Sequence, residues 1–194
     1  MLSSLRTLNP STTIRLLSTN TANPIKSKPF LAPLSRSHYP VFVDIPTRWA
    51  DNDQYGHVNN VIYLSFFDTA INNFLIANNL LDPSGTNPLL VDNPIGFCVE
   101  SQCKYYKPIS YPEIISVGIG VENIGRSSCK WSVGIFKKRG GDGDNVEVEG
   151  VEEDAAAFGH FVHVFVERES KKKAVIPANV REKLEEIMVG SKKQ

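Results

Sequence analysis

A carboxylate and an imidazole stand close together in the stretch Arg48-Trp49-Ala50-Asp51-Asn52-Asp53-Gln54-Tyr55-Gly56-His57-Val58-Asn59-Asn60-Val61-Ile62-Tyr63. A carboxylate such as Asp53 can attack an acyl carbon or deprotonate water, and an imidazole such as His57 moves protons near neutral pH. Apolar residues recur at three and four from Val61 onward, so both groups sit in a loop just before a predicted helix. The amides of a helix's first turn lack intrahelical partners, and the dipole is positive there. Such an end can bind an anion or a developing oxyanion. A carboxylate beside it is sufficient equipment for acyl transfer, and no metal or organic cofactor is expected. The same residues also have an ordinary structural reading, because Asp, Asn and Gly before a helix are common capping and turn residues.

The elements that must position these groups can be read along the chain. Val41, Val43 and Ile45 alternate with other residues and predict a strand that begins near Tyr39. The helix is predicted from about Asn60 to Asn79, with Val61, Leu64, Phe67, Ile71, Phe74 and Leu75 on one apolar face and Asn59 or Asn60 as N-cap. Pro83, Gly85 and Pro88 punctuate the loop after it. Strands are then predicted for Phe97–Tyr105, for Ile115–Val121 with small residues on one face, and for Cys129–Lys138 after a turn at Gly125. Lys138–Glu153 reads as a long loop rich in Gly and charge. Ala155–Arg168 is nearly continuous in apolar residues and predicts a central strand covered on both faces, and Pro177 opens a short helix through Met188.

Composition sets the outer bounds. The chain has 194 residues, 41% hydrophobic and 22% charged, as expected of one globular domain with a tail. The formal net charge is zero, with no basic excess to point to nucleic acid. No apolar run approaches the ~18 residues of a membrane span, so no membrane insertion is expected. Up to Val43 the chain carries Arg6, Arg15, Lys26, Lys28 and Arg36 and no acid at all. An acid-free start with Arg, Ser and Thr reads as an organelle transit peptide, and Arg15-Leu16-Leu17-Ser18 resembles a mitochondrial processing site cut after Leu17. Residues 1–38 are therefore read as transit peptide and disordered tail, and 39–190 as the folded domain. Cys98, Cys103 and Cys129 show no C-x-x-C spacing. The first two are expected on opposite faces of their strand, and all three as reduced fillers. His160 and His163, three apart in a strand, should face opposite sides of the sheet, which argues against a shared metal.

The stretch Asp-x-Asp-x-x-Gly-His-Val-Asn-Asn-x-x-Tyr resembles the signature of hotdog-fold thioesterases of the 4-hydroxybenzoyl-CoA thioesterase type, with likeness to plant acyl-ACP thioesterases. Tyr105-Tyr106-Lys107-Pro108-Ile109, Gly125-Arg126-Ser127-Ser128, Val166-Glu167-Arg168 and Ile176-Pro177 match in order, so the likeness runs from about Tyr39 to Met188. It implies an α+β fold in which a curved antiparallel sheet of about five strands wraps one long helix. It also implies a homodimer or homotetramer with sites at the interface, and hydrolysis of acyl-CoA. By position, Asp53 matches the catalytic carboxylate, Asn60 the helix-start amide, and His57 the histidine of the acyl-ACP branch. That branch has an asparagine where Tyr55 stands here, which favours the acyl-CoA branch. Tyr55, Gly56, Asn59, Tyr63, Ser127 and Ser128 are expected around the substrate, with Gly56 allowing close approach and Asn59 bracing the loop. Arg126, Lys104 and Lys107 are read as solvated charges. The other readings are an acyl-ACP thioesterase and a catalytically silent hotdog module of a mitochondrial assembly.

Overall fold

The computed structural model describes residues 34–90, 92–138 and 153–190. The predicted transit peptide and nearly all of the Lys138–Glu153 loop lie outside them. Five strands and two helices follow in the order β1 (Val41–Pro46), α1 (Asn60–Ala77), β2 (Ile95–Tyr105), β3 (Ile114–Ile124), β4 (Ser128–Lys137), β5 (Ala157–Val166) and α2 (Ala178–Glu186). All strand pairings are antiparallel, in the order β1-β3-β4-β5-β2. Helix α1 touches both edge strands, β1 and β2, as well as β3. A sheet whose two edges reach one helix must curve around it.

The sequence explains this layering. Tyr63, Phe66, Phe67, Ala70, Ile71 and Phe74 form the buried stripe of α1. They meet Ile115, Val117, Ile119 and Val121 of β3 and Trp131, Val133 and Ile135 of β4. Val180, Leu184 and Ile187 close the same core from α2. The predicted stripe began one turn too early. Val61 is 70% exposed, although Tyr63, two residues on, is buried.

The far face of the sheet has its own cover. Tyr39 is buried against Phe136 and Ala155. A Cβ added at Gly118 or Gly134 would come within 2.8 Å of the Tyr39 side chain, so these small residues are the seat of its ring. Leu34 to His38, placed outside the fold by the sequence reading, belong to this cover. The Leu34 carbonyl accepts from Ala155 N at 2.9 Å, and Arg36 N donates to Glu153 O at 2.8 Å.

Two further expectations are corrected. β5 lies between β4 and β2, but apart from the terminal Val166 only its core-side residues are buried. Phe158, Val162 and Val164 on the other face remain half-buried, so the strand is fully covered on one face only. In β2 the register shifts between Cys98 and Glu100, so that Cys98 pairs with His163 and Cys103 with Gly159. Five residues of β2 thus span four of β5, and the bulge brings Cys98 and Cys103 to the same face. The histidines fall as expected. His163 is buried beside Trp131, and His160 on the other face meets Glu100 at 2.8 Å.

Candidate active site

The loop between β1 and α1 is built by Asp51. Its buried carboxylate accepts from Arg48 N at 2.6 Å, from Arg48 Nε at 3.0 Å and from the guanidinium terminus at 2.7 Å. Thr47 anchors the loop's start, with its hydroxyl donating to Glu113 O at 2.8 Å. A tight hairpin follows, in which Asp53 N donates to His57 O at 2.9 Å and Gly56 N to Asp53 O at 3.2 Å. Gly56 sits at φ +84°, with nothing near an added Cβ. Its glycine is therefore required by the turn conformation, where the sequence reading had assigned it to close approach of substrate.

Asp53 is fixed by half. Its Oδ1 accepts from Tyr55 N at 2.8 Å, an Asx turn. Among the described residues no bond engages Oδ2, and the residue is half-buried. The loop therefore aims the carboxylate and leaves one oxygen available.

The start of α1 supplies a matching donor. Val58 N donates to Ile109 O, Asn59 N to Asp51 O and Ile62 N to Asn59 O. Val61 N donates to the Asn59 side chain at 3.2 Å, the N-cap bond. Of the five amides from Val58 to Ile62, the Asn60 N–H alone has no partner among the described residues.

Asp53, Tyr55, His57, Val58, Asn60, Tyr63, Tyr105, Tyr106, Lys107 and Pro108 line one open cleft of about 380 Å³. The structure thus gathers Asp53, His57, Asn60, Tyr55 and Tyr63, while Gly56 and Asn59 shape the same loop. Tyr63 is buried and packs edge-on against Tyr105, with ring centroids 5.0 Å apart. Burial raises its phenol, partly offset by a backbone hydrogen bond from Ile109 that favours the ionised form. Burial likewise pushes the Tyr105 phenol up to about 12. These groups stay neutral at physiological pH and serve as hydrogen-bonding walls.

Ser127 and Ser128 are not part of this cleft within one chain. Ser128 pairs with Val164, near the end of β5, whereas Tyr105 pairs with Ala157 at its start. Seven residues of strand separate the two ends by ~23 Å. Ser127 O accepts from Phe165 N and Ser128 O from Gly125 N, so both hold the β3–β4 turn. The sequence reading missed Tyr105 and Tyr106 as walls and set Lys107 aside as solvated. The signal available was the Pro108 that ends β2 beside the loop. Among the described residues, no three His, Cys, Asp or Glu side chains gather to hold a metal. No described helix is long and apolar enough to cross a membrane.

Comparison with known proteins adds to this geometry. The profile of the thioesterase-like superfamily matches residues 47–184. The solved PA5185 protein of Pseudomonas aeruginosa strain PAO1 is 39% identical, covering 82% of this chain and 99% of that one, with a TM-score of 0.68. A thioesterase of Thermus thermophilus, solved with coenzyme A and zinc, is 23% identical over 77% of this chain and 95% of its own, with a TM-score of 0.56. A 1,4-dihydroxy-2-naphthoyl-CoA thioesterase from Synechocystis is 17% identical over 74% and 93%, with a TM-score of 0.57. At those identities the last two bear on the fold alone. No curated protein matches the chain.

Proposed function

From the premise that the chain belongs to the thioesterase-like superfamily, we propose that it hydrolyses acyl-CoA thioesters to the free acid and free thiol. The observation that carries this reading is the uncommitted Asn60 amide in the same cleft as the half-fixed Asp53. In this reading the thioester carbonyl oxygen points at the Asn60 N–H, in the positive field of the helix start. Oδ2 of Asp53 attacks the carbonyl carbon, or takes a proton from a water that attacks it. The carbonyl electron pair moves onto oxygen and is held by the amide. Its return breaks the carbon–sulfur bond, and the departing thiolate takes a proton, for which His57 on the cleft wall is the available carrier. With Asp53 as nucleophile, a water then splits the acyl–aspartyl anhydride.

Coenzyme A is the carrier to try first, since a solved thioesterase of this fold holds it. The working assembly in this reading is a homodimer, alone or doubled into a tetramer, joined along β2. The acid-free start supports a mitochondrial address. A reporter fused to residues 1–40 that stays in the cytosol would remove that address. The function is tested by offering the purified protein a panel of aliphatic and aromatic acyl-CoA esters and following thiol release. No release from any member, by folded protein, defeats the proposal and leaves the silent-module reading. Single turnover in heavy-oxygen water then separates the two roles of Asp53, because only a nucleophilic carboxylate retains the label.

A further inference from the structure

Tyr105 reaches the start of α1 from the end of β2. Its hydroxyl donates to the Asn60 carbonyl oxygen at 3.0 Å. That carbonyl shares a peptide unit with Val61 N–H, which donates to the Asn59 side chain at 3.2 Å. The peptide plane between Asn60 and Val61 is therefore held at both ends, by a phenol on its oxygen and an amide side chain on its nitrogen. The uncommitted Asn60 N–H belongs to the preceding Asn59–Asn60 peptide, which meets the clamped plane at the Asn60 Cα and whose carbonyl accepts from Ile62 N at 2.9 Å.

We propose that Tyr105 is a positioning residue that, together with Asn59, clamps the Asn60–Val61 peptide and so aims the Asn60 amide into the cleft. This rests on the reading of that amide as the oxyanion donor. Two features suit Tyr105 to the task. Its ring is braced edge-on by the buried Tyr63, 5.0 Å away, so the hydroxyl has little freedom. Its phenol keeps its proton at working pH and remains a donor. The Cys103 thiol beside it is pushed up to about 11 by burial and brings no charge. Bonds in series through one peptide unit polarise one another, so the clamp also strengthens both of its ends.

The test is Tyr105→Phe, which keeps the ring and removes only the hydroxyl, alongside Asn59→Ala and the double variant. Two readouts are taken on the full chain, acyl-CoA hydrolysis and amide hydrogen exchange at Val61. Tyr105→Phe should lower kcat about tenfold with KM within about twofold, and should speed Val61 exchange. In the double variant the loss in kcat should be smaller than the product of the single losses, as coupled residues require. Independent, multiplying losses would overturn the clamp. So would a rise in KM with unchanged Val61 exchange, which would mean that Tyr105 touches substrate instead of positioning. Were the wild type inactive on every thioester, the exchange measurement alone would decide. Unaltered Val61 exchange in Tyr105→Phe refutes the clamp whatever the reaction is.

Discussion

Two aspartates two residues apart take opposite roles. Asp53 lends one oxygen to the Tyr55 amide, and its other oxygen has no partner among the described residues. Asp53→Asn retains an oxygen for that amide, so the loop should keep its shape while the charge is gone. Turnover should fall at least ~10²-fold, the scale of general base catalysis alone, with an unchanged melting temperature. Asp51 is instead bound into the fold. Its buried carboxylate gathers three bonds from Arg48, and an asparagine would turn a donor toward those donors. Asp51→Asn should therefore lose ~1–3 kcal/mol of stability, the cost of an unmatched buried polar group. Melting of both variants, read beside their kcat, tests the pair. An inactive but stable Asp51→Asn would mean that the wrong carboxylate was assigned.

His163 carries a second consequence at this scale. Burial lowers its pKa from the ordinary 6.5, with the Asp68 carboxylate pulling the other way. The unfolded chain then binds the extra proton first as pH falls. Stability from His163 is complete above about 6.5 and is lost below it, until the lowered folded pKa is reached. His163→Phe should flatten the fall in melting temperature between pH 7 and pH 5. An equally steep fall in the variant would refute this.

Among the elements, β2 is the longer of the two edge strands. It pairs with β5 on one side and with no described strand on the other. Its eleven residues include the exposed Phe97 and Val99. A long apolar edge of this kind invites another chain, which is why the proposed dimer is joined here. Val99→Lys should shift the protein toward monomer in sedimentation at micromolar concentration. A wild type that already sediments as an active monomer would end the dimer proposal. Much of this level was legible beforehand. The period of α1, the alternation in β1 and β3 and the N-cap at Asn59 are local patterns, and they hold. What escaped was non-local. The bulge in β2 reverses side-chain parity and leaves no mark in the pattern. Tyr105 enters the cleft only because β2 ends beside a helix start 45 residues earlier in the chain. The order of Ser127 and Ser128 in the sequence could not tell which end of β5 they would meet.

For the whole molecule, the two faces of the sheet have separate covers, the second of them partial. One face is filled by α1 and α2, the other by the segment from Leu34 to Tyr39 with Phe42, Phe136 and Phe158. The second cover depends on glycine. Tyr39 lies flat only because Gly118 and Gly134 carry no side chain. Both covers draw on residues near the ends of the described chain, since α2 is followed by Ile187 and Val189, which bond Val121.

The seat of Tyr39 bears on where this protein can be cut. The match to the superfamily's profile begins at Thr47, after β1 and after the ring that fills the glycine seat. A fragment of 47–184 would strip β1 from β3 and bare a new edge beside Ile115, Val117 and Ile119, each fully buried in the intact fold. Every such side chain returned to water costs roughly 1.5–3 kcal/mol. That fragment should be recovered as aggregate, while 34–190 should be soluble and melt cooperatively. Soluble, cooperatively melting 47–184 would show the cover to be dispensable. The bounds of a family match are thus a poor guide to where this chain stops folding.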